Sequence, residues 1–532
     1  MRVARLLRMG QRGLMGNFLI ALLVLVWASA PGARAEVAFA PVFNTSAVLQ
    51  CEMPVNVWGR SAPGTGLEIQ LDGKKVAEAK ADAGGNWKAI LPGQPPGGPH
   101  SLEAVSGENS AKLEDILFGE VWLAAGQSNM VLPVGPSLGG AEALKRENPG
   151  IRFLKVPQKT GLPVENAFTA DDLKWRVLKP GPPSRDNDFS AVAFYFAEAL
   201  HQGTGRPIGI MQSAYGGTPA EAWTSLDMLE GQPELKHYAS ATRQALESKK
   251  TREQWQEEIS TWDQFVAALT EWKKDGSSGP RPKEPTRPAA GNPRRPRAPG
   301  VLFENMIAPL VPYTARGVIW YQGEANSTKP DEYRVLFPTM IEGWRKLWGR
   351  PDWPFLFVQL SAFETPSAGD WAGLRAAQAF TRDTVPHTGM AVSIDCGEKN
   401  NIHPKKKQPV GERLARLALA DVYGKTIASR GPTFQALQKS TGSLRINFQG
   451  FENGLQTSDG KPDVPGFEVA GADGVFHAAQ AKMVSASSVE LTCAEVADPV
   501  SARYAWANWP EPPATLQNSA GLPAEPFLKI AK

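Results

Sequence analysis

The residues Val121-Trp122-Leu123-Ala124-Ala125-Gly126-Gln127-Ser128-Asn129-Met130 decide the fold. An unbroken apolar run ends here in a glycine and is followed by polar side chains. Such a run is typical of a strand that is buried on both faces of a parallel sheet. Because Gly126 allows a tight turn, we expect Ser128 to be exposed where the strand passes into a helix, whose N-terminus favours negative charge.

Four more apolar runs repeat this pattern further along the chain: Pro207–Gln212, Gly317–Tyr321, Phe355–Leu360 and Met390–Asp395. Helical patterns lie between them, as at 191–201 and 333–348. This alternation predicts an α/β domain with a parallel sheet over residues 116–424. Open parallel sheets bind ligands just beyond the carboxyl ends of their strands.

Polar motifs follow several of these runs. Gly216 and Gly217 follow the second run, Gln322 follows the third, and His403 comes shortly after the fifth. We therefore expect Ser128, backbone N–H groups, a carboxamide and an imidazole to meet at one edge of the sheet. Acyl transfer requires such a set, namely a nucleophile, a base and donors for the oxyanion.

The flanking regions read as short alternating strands. Residues 36–115 predict a small β-sandwich, with strands at Val55–Gly59 and Leu67–Leu71, and Asp72-Gly73 predicts a hairpin turn. Residues 425–532 predict a second β-rich domain, with strands at Ser443–Phe448 and Ser488–Thr492.

An insertion at 225–300 interrupts the α/β domain. Apolar residues at helical spacing predict an amphipathic helix over Thr251–Trp272, packed on the body through Trp255, Ile259, Trp262, Val266 and Leu269. Carbohydrate stacking by its tryptophans is the alternative. Gly276–Gly300, rich in Pro, Arg and Gly, predicts a flexible solvated loop, with binding of an acidic glycan by its arginines as the alternative.

The N-terminus has the pattern of a signal peptide. Arginines precede the apolar run Phe18–Ala28, and Ala33-Arg34-Ala35 fits a signal peptidase site. We expect cleavage after Ala35 and export to a periplasm or to the cell exterior. A retained anchor is the alternative, although the run is short for a bilayer span, which takes about 20 apolar residues.

Composition indicates neither a nucleic-acid partner nor a cofactor. The chain has 57 Lys+Arg and 54 Asp+Glu, and its histidines form no cluster with metal-ligand spacing. The cysteines are Cys51, Cys396 and Cys493, which leaves either free thiols or a single bridge, for which Cys51–Cys493 is the first choice. We expect no metal site and no membrane contact after signal cleavage, and the oligomeric state is left open.

Ordered motifs resemble the blocks of SGNH-type hydrolases, and most closely those of the sialate O-acetylesterase family. The blocks are the residues 126–130, 216–223, 320–326 and 402–408, and similar segments lie at 48–55, 503–506 and 521–523. The resemblance implies a flavodoxin-like α/β/α hydrolase flanked by β-rich domains. Because the matching segments run from residue 48 to residue 523, the resemblance covers most of the mature chain.

The resemblance also implies roles at the site. Ser128 would be the nucleophile and one oxyanion donor, Gly216 or Gly217 the second donor, and Gln322 the third. His403 would be the general base. The substrate contacts implied are Gln127, Asn129, Trp223, Glu324 and Asn326.

One position departs from the family pattern. Many relatives carry an aspartate two or three residues before the histidine, where this chain has Asn401 and Asn400. An amide does not stabilise imidazolium as a carboxylate does. Either another acid orients the ring or a Ser–His dyad operates; Asp395 is the first candidate, followed by Glu398 and Glu324.

The implied function is a secreted carbohydrate O-acetylesterase that acts on sialate esters through a Ser–His acyl-enzyme. Two alternatives stay open. One is an acetylxylan or other polysaccharide acetylesterase on the same scaffold, because loop residues set the specificity. The other is a glycan-binding protein without catalysis.

Overall fold

The structure is a computed structural model that describes residues 36–164, 168–184, 187, 189–365, 368–451 and 454–530. The predicted signal peptide, residues 1–35, lies outside this described part. None of the helices in the described part is long and apolar enough to cross a membrane.

Strands are numbered in chain order: β1 Ala38–Phe39, β2 Val48–Gln50, β3 Val55–Arg60, β4 Gly66–Leu71, β5 Lys74–Lys80, β6 Asn86–Leu91, β7 Gly97–Ser106, β8 Asn109–Gly126, β9 Ile151–Lys155, β10 Trp175–Val177, β11 Ile208–Ala214, β12 Gly317–Tyr321, β13 Phe355–Val358, β14 Thr388–Ala391, β15 Thr433–Ser440, β16 Ser443–Gln449, β17 Leu455–Thr457, β18 Phe467–Ala470, β19 Phe476–Ala478, β20 Gln480–Ser485, β21 Ser488–Thr492, β22 Ser501–Tyr504, β23 Leu516–Asn518 and β24 Phe527–Ile530. The α-helices are α1 Ser128–Val131, α2 Gly140–Ala143, α3 Ala191–Thr204, α4 Leu226–Glu230, α5 Lys236–Glu247, α6 Arg252–Lys274, α7 Pro330–Trp348, α8 Trp371–Thr384 and α9 Gln408–Asp421.

The central sheet has the order β10-β9-β11-β8-β12-β13-β14. All neighbouring pairs in this row are parallel except β10 and β9. The predicted parallel strands are confirmed, and the side chains of β11, β12 and β13 are buried throughout, as their apolar runs require. Helix α3 packs against α9, and α7 packs against α8.

The sequence did not reveal β9, because charged residues interrupt its apolar run. Arg152 lies within this strand and is nevertheless buried. Its guanidinium group donates a hydrogen bond to the carboxylate of Asp115 at 2.7 Å. Pairing of the charge inside the protein therefore compensates for a residue that breaks the hydrophobic pattern.

Leaving β9 aside, the strands β8, β11, β12, β13 and β14 follow the flavodoxin-like order, with the first strand lying between the second and the third. The chain therefore changes direction of winding at β8. In this fold class the crevice at the carboxyl end of that strand is where ligands bind. Ser128 begins the helix that follows β8.

The N-terminal strands form a separate small sheet and a layer that joins the central sheet through β8. β1, β3 and β6 make a small sheet, while β4, β5 and β7 form a layer that reaches β8 through β7. The predicted hairpin is confirmed: β4 ends at Leu71, β5 begins at Lys74, and Asp72 and Gly73 both have positive φ, of 50° and 74°.

β8 runs through the predicted domain boundary at residues 115 and 116. Its first half pairs with β7 and its second half with the central strands. One hydrophobic cluster accordingly extends from Val37 to Leu419, and a second, from Leu444 to Phe527, fills the C-terminal β region. The predicted domains at 36–115 and 116–424 therefore share one hydrophobic core.

In the insertion, α6 matches the predicted amphipathic helix. Its N-terminus is closed by a capping box between Thr251 and Gln254. Trp255 and Phe265 are buried, whereas Val266, which the spacing placed on the buried face, is exposed.

The Pro- and Arg-rich segment 276–300 differs from the solvated loop that its composition predicts. Residues 291–293 and 298–300 are buried. The Asn292 side chain is fully buried and donates to the carbonyl of Trp255 at 3.1 Å. Fixed contacts to α6 thus order a segment that has almost no regular secondary structure.

The three cysteines are free in this structure. Cys51 lies in the first hydrophobic cluster, with its thiol 3.3 Å from Glu120, and burial raises its pKa. Cys493 packs against the second cluster, so the suggested Cys51–Cys493 bridge is not formed.

Glu120 anchors the end of the sheet that is opposite to Ser128. Its carboxylate is fully buried and accepts hydrogen bonds from Arg206 at 2.5 Å and from Arg316 at 2.8 Å. Gln50 and Tyr423 each donate to it at 2.9 Å. Burial disfavours the charged form, but these donors outweigh burial and hold the pKa of Glu120 below its ordinary value.

Glu120→Gln should lower the free energy of unfolding by about 3–5 kcal/mol, because two partly buried guanidinium groups lose their counter-charge. Glu114→Gln is the control, since Glu114 is exposed and pairs with Lys112 at 3.3 Å; its loss should stay below about 1 kcal/mol. Urea denaturation measures both, and equally small losses would contradict the anchoring role.

Candidate active site

The parallel register brings three strand ends to one edge of the sheet. Gly126 at the end of β8 pairs with Ala214 at the end of β11 on one side and with Tyr321 at the end of β12 on the other. Ser128, Gly216 and Gln322 follow these residues by one or two positions. The sequence motifs therefore come together because their strands are aligned.

Ser128 is presented by a turn that requires glycine before it. Gly126 has φ of 138°, and a Cβ at this position would lie 2.2 Å from the carbonyl oxygen of Tyr321. The serine is half-buried, whereas its neighbours Gln127 and Asn129 are buried. Of these three residues, Ser128 is therefore the least buried.

The Gly216–Gly217 loop lies beside Ser128. A Cβ built on Gly216 would be 3.5 Å from the Cβ of Ser128, and both glycines are exposed. Within the described residues, the backbone N–H groups of Ser128 and Gly216 donate to no protein acceptor. Two free donors next to a serine hydroxyl fit an oxyanion site.

Gln322 does not offer a third donor in this structure. Its side chain is fully buried, and its Nε2 donates to the carbonyl of Thr218 at 3.3 Å and to Asn326 at 2.7 Å. Its Oε1 accepts from the hydroxyl of Tyr333 at 3.0 Å. One N–H therefore holds the loop at 215–218 and the other holds Asn326, so in this structure the amide bonds within the protein.

The side chains expected to contact the substrate are also buried: Gln127, Asn129, Trp223, Glu324 and Asn326. Gln127 accepts from the N–H of Ala325 at 3.2 Å, and the Trp223 indole donates to Thr218 at 3.0 Å. Apart from Glu324 Oε2, which has no partner in the described part of the chain, their polar atoms bond to the protein, so in this structure the set forms a scaffold around the Ser128 turn. The sequence motifs include these scaffold residues because they lie on the same short segments as the nucleophile and the glycine loop.

His403 lies half-buried on the loop before α9. The carbonyl of the preceding residue, Ile402, accepts a hydrogen bond from the Asn129 amide at 3.0 Å, which ties the histidine loop to the residue after Ser128. Asn401 bonds to both the N–H and the carbonyl of His403, each at 3.0 Å. The asparagine in the expected aspartate position therefore supports the backbone of His403.

The His403 ring receives no hydrogen bond from any residue in the described part of the chain. Burial and the positive charge of Lys407 lower the pKa of His403 below its ordinary value. The imidazole is consequently neutral at neutral pH, which is the form that accepts a proton.

Asp395, the first candidate for an orienting acid, is engaged elsewhere. Its two carboxylate oxygens accept from Arg413 at 2.6 and 2.8 Å. Burial opposes ionisation, but the hydrogen bonds and charge of Arg413 outweigh it and lower the pKa of Asp395. The structure thus directs this carboxylate to Arg413 and not to His403.

The two other candidate acids are similarly occupied. Glu398 accepts from the Asn401 amide at 3.0 Å and from the N–H of Lys405 at 2.6 Å. Glu324 accepts from Asn129 at 2.5 Å. Both carboxylates support the loops around the histidine without reaching its ring.

One group in the described chain has metal-ligand spacing: Cys51, Glu52 and Glu120. Arg206 donates to both of these carboxylates, so a guanidinium group takes the place that a cation would need. Glu120 precedes Gly126 by six residues in β8, about 20 Å along the strand. This group belongs to the anchor of the sheet and is remote from Ser128.

Two residues at the site had no individual role assigned from the sequence. Arg297 of the insertion donates to the carbonyl of Gly217, and Lys407 donates to Asn129 at 2.5 Å. Lys407 occupies the N-cap position of α9, where the helix dipole disfavours a cation. A lysine at the start of a predicted helix could therefore have drawn attention to Lys407 from the sequence. The position of Arg297 could not be predicted in this way, because it lies in a segment without regular secondary structure.

Comparisons with known proteins agree with this geometry. The family model described as "Carbohydrate esterase, sialic acid-specific acetylesterase" matches residues 295–420. Sialate O-acetylesterase of Mus musculus is 29% identical over 546 residues, covering 92% of this chain and 94% of that protein. Sialate O-acetylesterase of Homo sapiens is 29% identical over 540 residues, covering 92% of each.

A solved structure extends the match. The crystal structure of a carbohydrate acetylesterase from Xanthomonas citri is 32% identical, with a TM-score of 0.76, over 92% of this chain and 99% of that chain. The resemblance seen in the sequence motifs is therefore confirmed over nearly the whole length of both chains. The chain belongs to the sialate O-acetylesterase family of carbohydrate esterases.

Proposed function

We propose that this protein hydrolyses acetyl esters of sugars, with Ser128 as nucleophile and His403 as general base. The observation that carries the proposal is the half-buried Ser128 hydroxyl beside the unpaired N–H of Gly216. The hydrogen bond from the Asn129 amide to the Ile402 carbonyl holds the loop that carries His403 next to the Ser128 turn. Family membership supports the ester chemistry.

In the first step the Ser128 oxygen attacks the acetyl carbonyl carbon while the imidazole of His403 takes the hydroxyl proton. The N–H groups of Ser128 and Gly216 bind the developing oxyanion; one such donor stabilises the transition state by about 2.7–4 kcal/mol. The bond between the acetyl carbon and the sugar oxygen then breaks. The sugar oxygen leaves as a hydroxyl after taking the proton from the imidazolium.

In the second step water attacks the acetyl-serine. His403 accepts a proton from the water and returns one to the serine oxygen, and acetate leaves. Because none of the three candidate acids contacts the ring, we propose a Ser–His dyad. Since the pKa of His403 is lowered, its base form persists to more acidic pH than that of an ordinary histidine.

We further propose an O-acetylated sialic acid as the substrate. The family relatives with this name support the choice. Arg297 supports it independently, because its exposed guanidinium lies against the Gly216–Gly217 loop, where a sugar carboxylate would be within reach of charge-assisted bonding. The predicted signal peptide supports export, to a periplasm or to the cell exterior.

Ser128→Ala should lower kcat for a chromogenic acetate ester by on the order of 10⁶-fold, because the nucleophile is removed. Thermal unfolding should stay close to that of the unmodified protein. Ser213→Ala is the control: Ser213 lies at the same sheet edge, but it is buried and donates to the carbonyl of Met306 at 2.9 Å. Retained hydrolysis by the folded Ser128 variant would refute the acyl-enzyme mechanism.

Asp395→Asn should keep kcat within about tenfold, whereas replacing a true orienting aspartate by its amide costs ~10⁴-fold. Assays should be run well below the unfolding temperature, since this variant also weakens the contact with Arg413. A loss near 10⁴-fold in the folded variant would restore Asp395 as the acid.

Arg297→Ala should reduce kcat/KM for O-acetylated sialic acid by roughly 10–100-fold relative to its kcat/KM for an acetylated xylo-oligosaccharide, since one charged hydrogen bond contributes about 1.5–3 kcal/mol. The ratio cancels any general effect on the Gly217 loop. Arg287→Ala is the matched control, because Arg287 lies in the same insertion and pairs with Glu284 at 3.1 Å. If the ratio of the two kcat/KM values is unchanged, or if the unmodified protein hydrolyses the xylan ester faster, a neutral polysaccharide is favoured as the substrate. If the protein hydrolyses neither ester, a glycan-binding function without catalysis is favoured.

A further inference from the structure

Three buried polar side chains connect the Ser128 turn to the His403 loop. Lys407 is fully buried, and Asn129 and Glu324 are 2% and 8% exposed. Lys407 Nζ donates to Asn129 Oδ1 at 2.5 Å, and Asn129 Nδ2 donates to Glu324 Oε1 at 2.5 Å and to the Ile402 carbonyl at 3.0 Å. We call these three side chains the Lys407 network.

The two charges fix the orientation of the amide between them. An ammonium group can only donate, and a carboxylate can only accept. The Asn129 oxygen must therefore face Lys407, and its NH₂ group must face Glu324. In this orientation the second N–H of Asn129 points to Ile402, the residue before His403. If the Asn129 amide were flipped, its NH₂ group would face the Lys407 ammonium and its oxygen would face the Glu324 carboxylate. The hydrogen bond to the Ile402 carbonyl, which holds the histidine loop, would be lost.

Burying these charges is costly for the protein. Burial lowers the pKa of Lys407 to about 8 and raises the pKa of Glu324. Glu324 Oε2 has no hydrogen-bond partner in the described part of the chain. Strongly perturbed groups of this kind cluster at functional sites.

In the described part of the chain, the titratable groups that act on Lys407 include no second cation. The titratable groups that act on it are Glu324, Cys396 and Glu398, and the ring of Tyr321 lies 5.1 Å from its ammonium nitrogen. Lys407 is also the charged group that acts on His403, and it disfavours the imidazolium form. The network therefore reaches the histidine through both the backbone and the charge.

We propose that Lys407 is a positioning residue: through Asn129 and Glu324 it holds His403 over the Ser128 turn in place of an orienting carboxylate, and its ammonium charge acts on the imidazole. This inference rests on the proposed Ser–His mechanism. Asn401 supplies a second hold on the same loop, but it carries no charge that acts on the ring.

Lys407→Met tests both parts of the inference. With a chromogenic acetate ester, kcat on the pH plateau should fall by on the order of 10²-fold, the loss expected for a misplaced catalytic group. KM should change little, because the buried lysine does not contact the substrate. The acid limb of kcat/KM should move to higher pH, since the imidazole is no longer beside a cation and binds a proton more readily.

Two further variants separate charge from hydrogen bonding. Lys407→Gln keeps a donor for Asn129 but removes the charge, so the acid limb should move as in the methionine variant while kcat falls less. Lys407→Arg keeps the charge, so its acid limb should stay in the original position. Lys406→Met is the matched control, because Lys406 is the exposed neighbour and lies 3.7 Å from Asp395; kcat and the acid limb should both be unchanged.

Folding of each variant is checked by circular dichroism, and the glutamine variant carries the test if the methionine variant does not fold. A fall in kcat without movement of the acid limb would indicate a merely structural role and overturn the proposal, as would an unchanged kcat. These outcomes differ from a failure of the mechanism itself. If the Ser128→Ala protein is active, the acyl-enzyme mechanism is contradicted. If the Ser128→Ala protein is inactive and the Lys407 variants behave like the unmodified protein, only the role of the Lys407 network is contradicted.

Discussion

Strand β8 is hydrogen-bonded on both sides to parallel strands, and the rest of the structure depends on that pairing. Its register places Gly126 level with Ala214 and Tyr321, so the turns after β8, β11 and β12 open at one edge. Where β8 enters the central sheet, six residues before Gly126, Glu120 lies between two arginines. A shift of one residue in this register would move every side chain of the strand to the opposite face.

The same strand explains why the N-terminal region cannot be separated cleanly from the hydrolase. Its first half alternates between exposed and half-buried positions, as a strand with one solvated face does, and its second half is buried throughout. The continuous core from Val37 to Leu419 follows from this shared element. The C-terminal β region has its own core and contacts the start of α8 through Asn508, which accepts from the N–H of Trp371 at 2.8 Å.

The site is built in two layers. The groups proposed to carry the chemistry are exposed or half-buried, namely Ser128, the Gly216–Gly217 loop and His403. Beneath them, buried amides and charges hold the loops: Gln322 supports the glycine loop and the Lys407 network supports the histidine loop. In the described part of the chain no carboxylate bonds to the His403 ring, and the loop that carries it is held by Asn129 and Asn401.

The sequence by itself determined the parallel strands, the Ser128 turn, the Asp72-Gly73 hairpin, helix α6 and the family, because each depends on a local pattern of apolar residues, glycines or a short motif. Tertiary structure decided the rest. Arg152 is buried because Asp115 pairs with it, Asp395 faces Arg413, and the predicted substrate contacts lie inside the scaffold. Lys407 and Arg297 gained their places through contacts with residues that are distant along the chain. Sequence patterns report which side chains can pair, but the choice of partner for a buried charge depends on the packing of the folded chain.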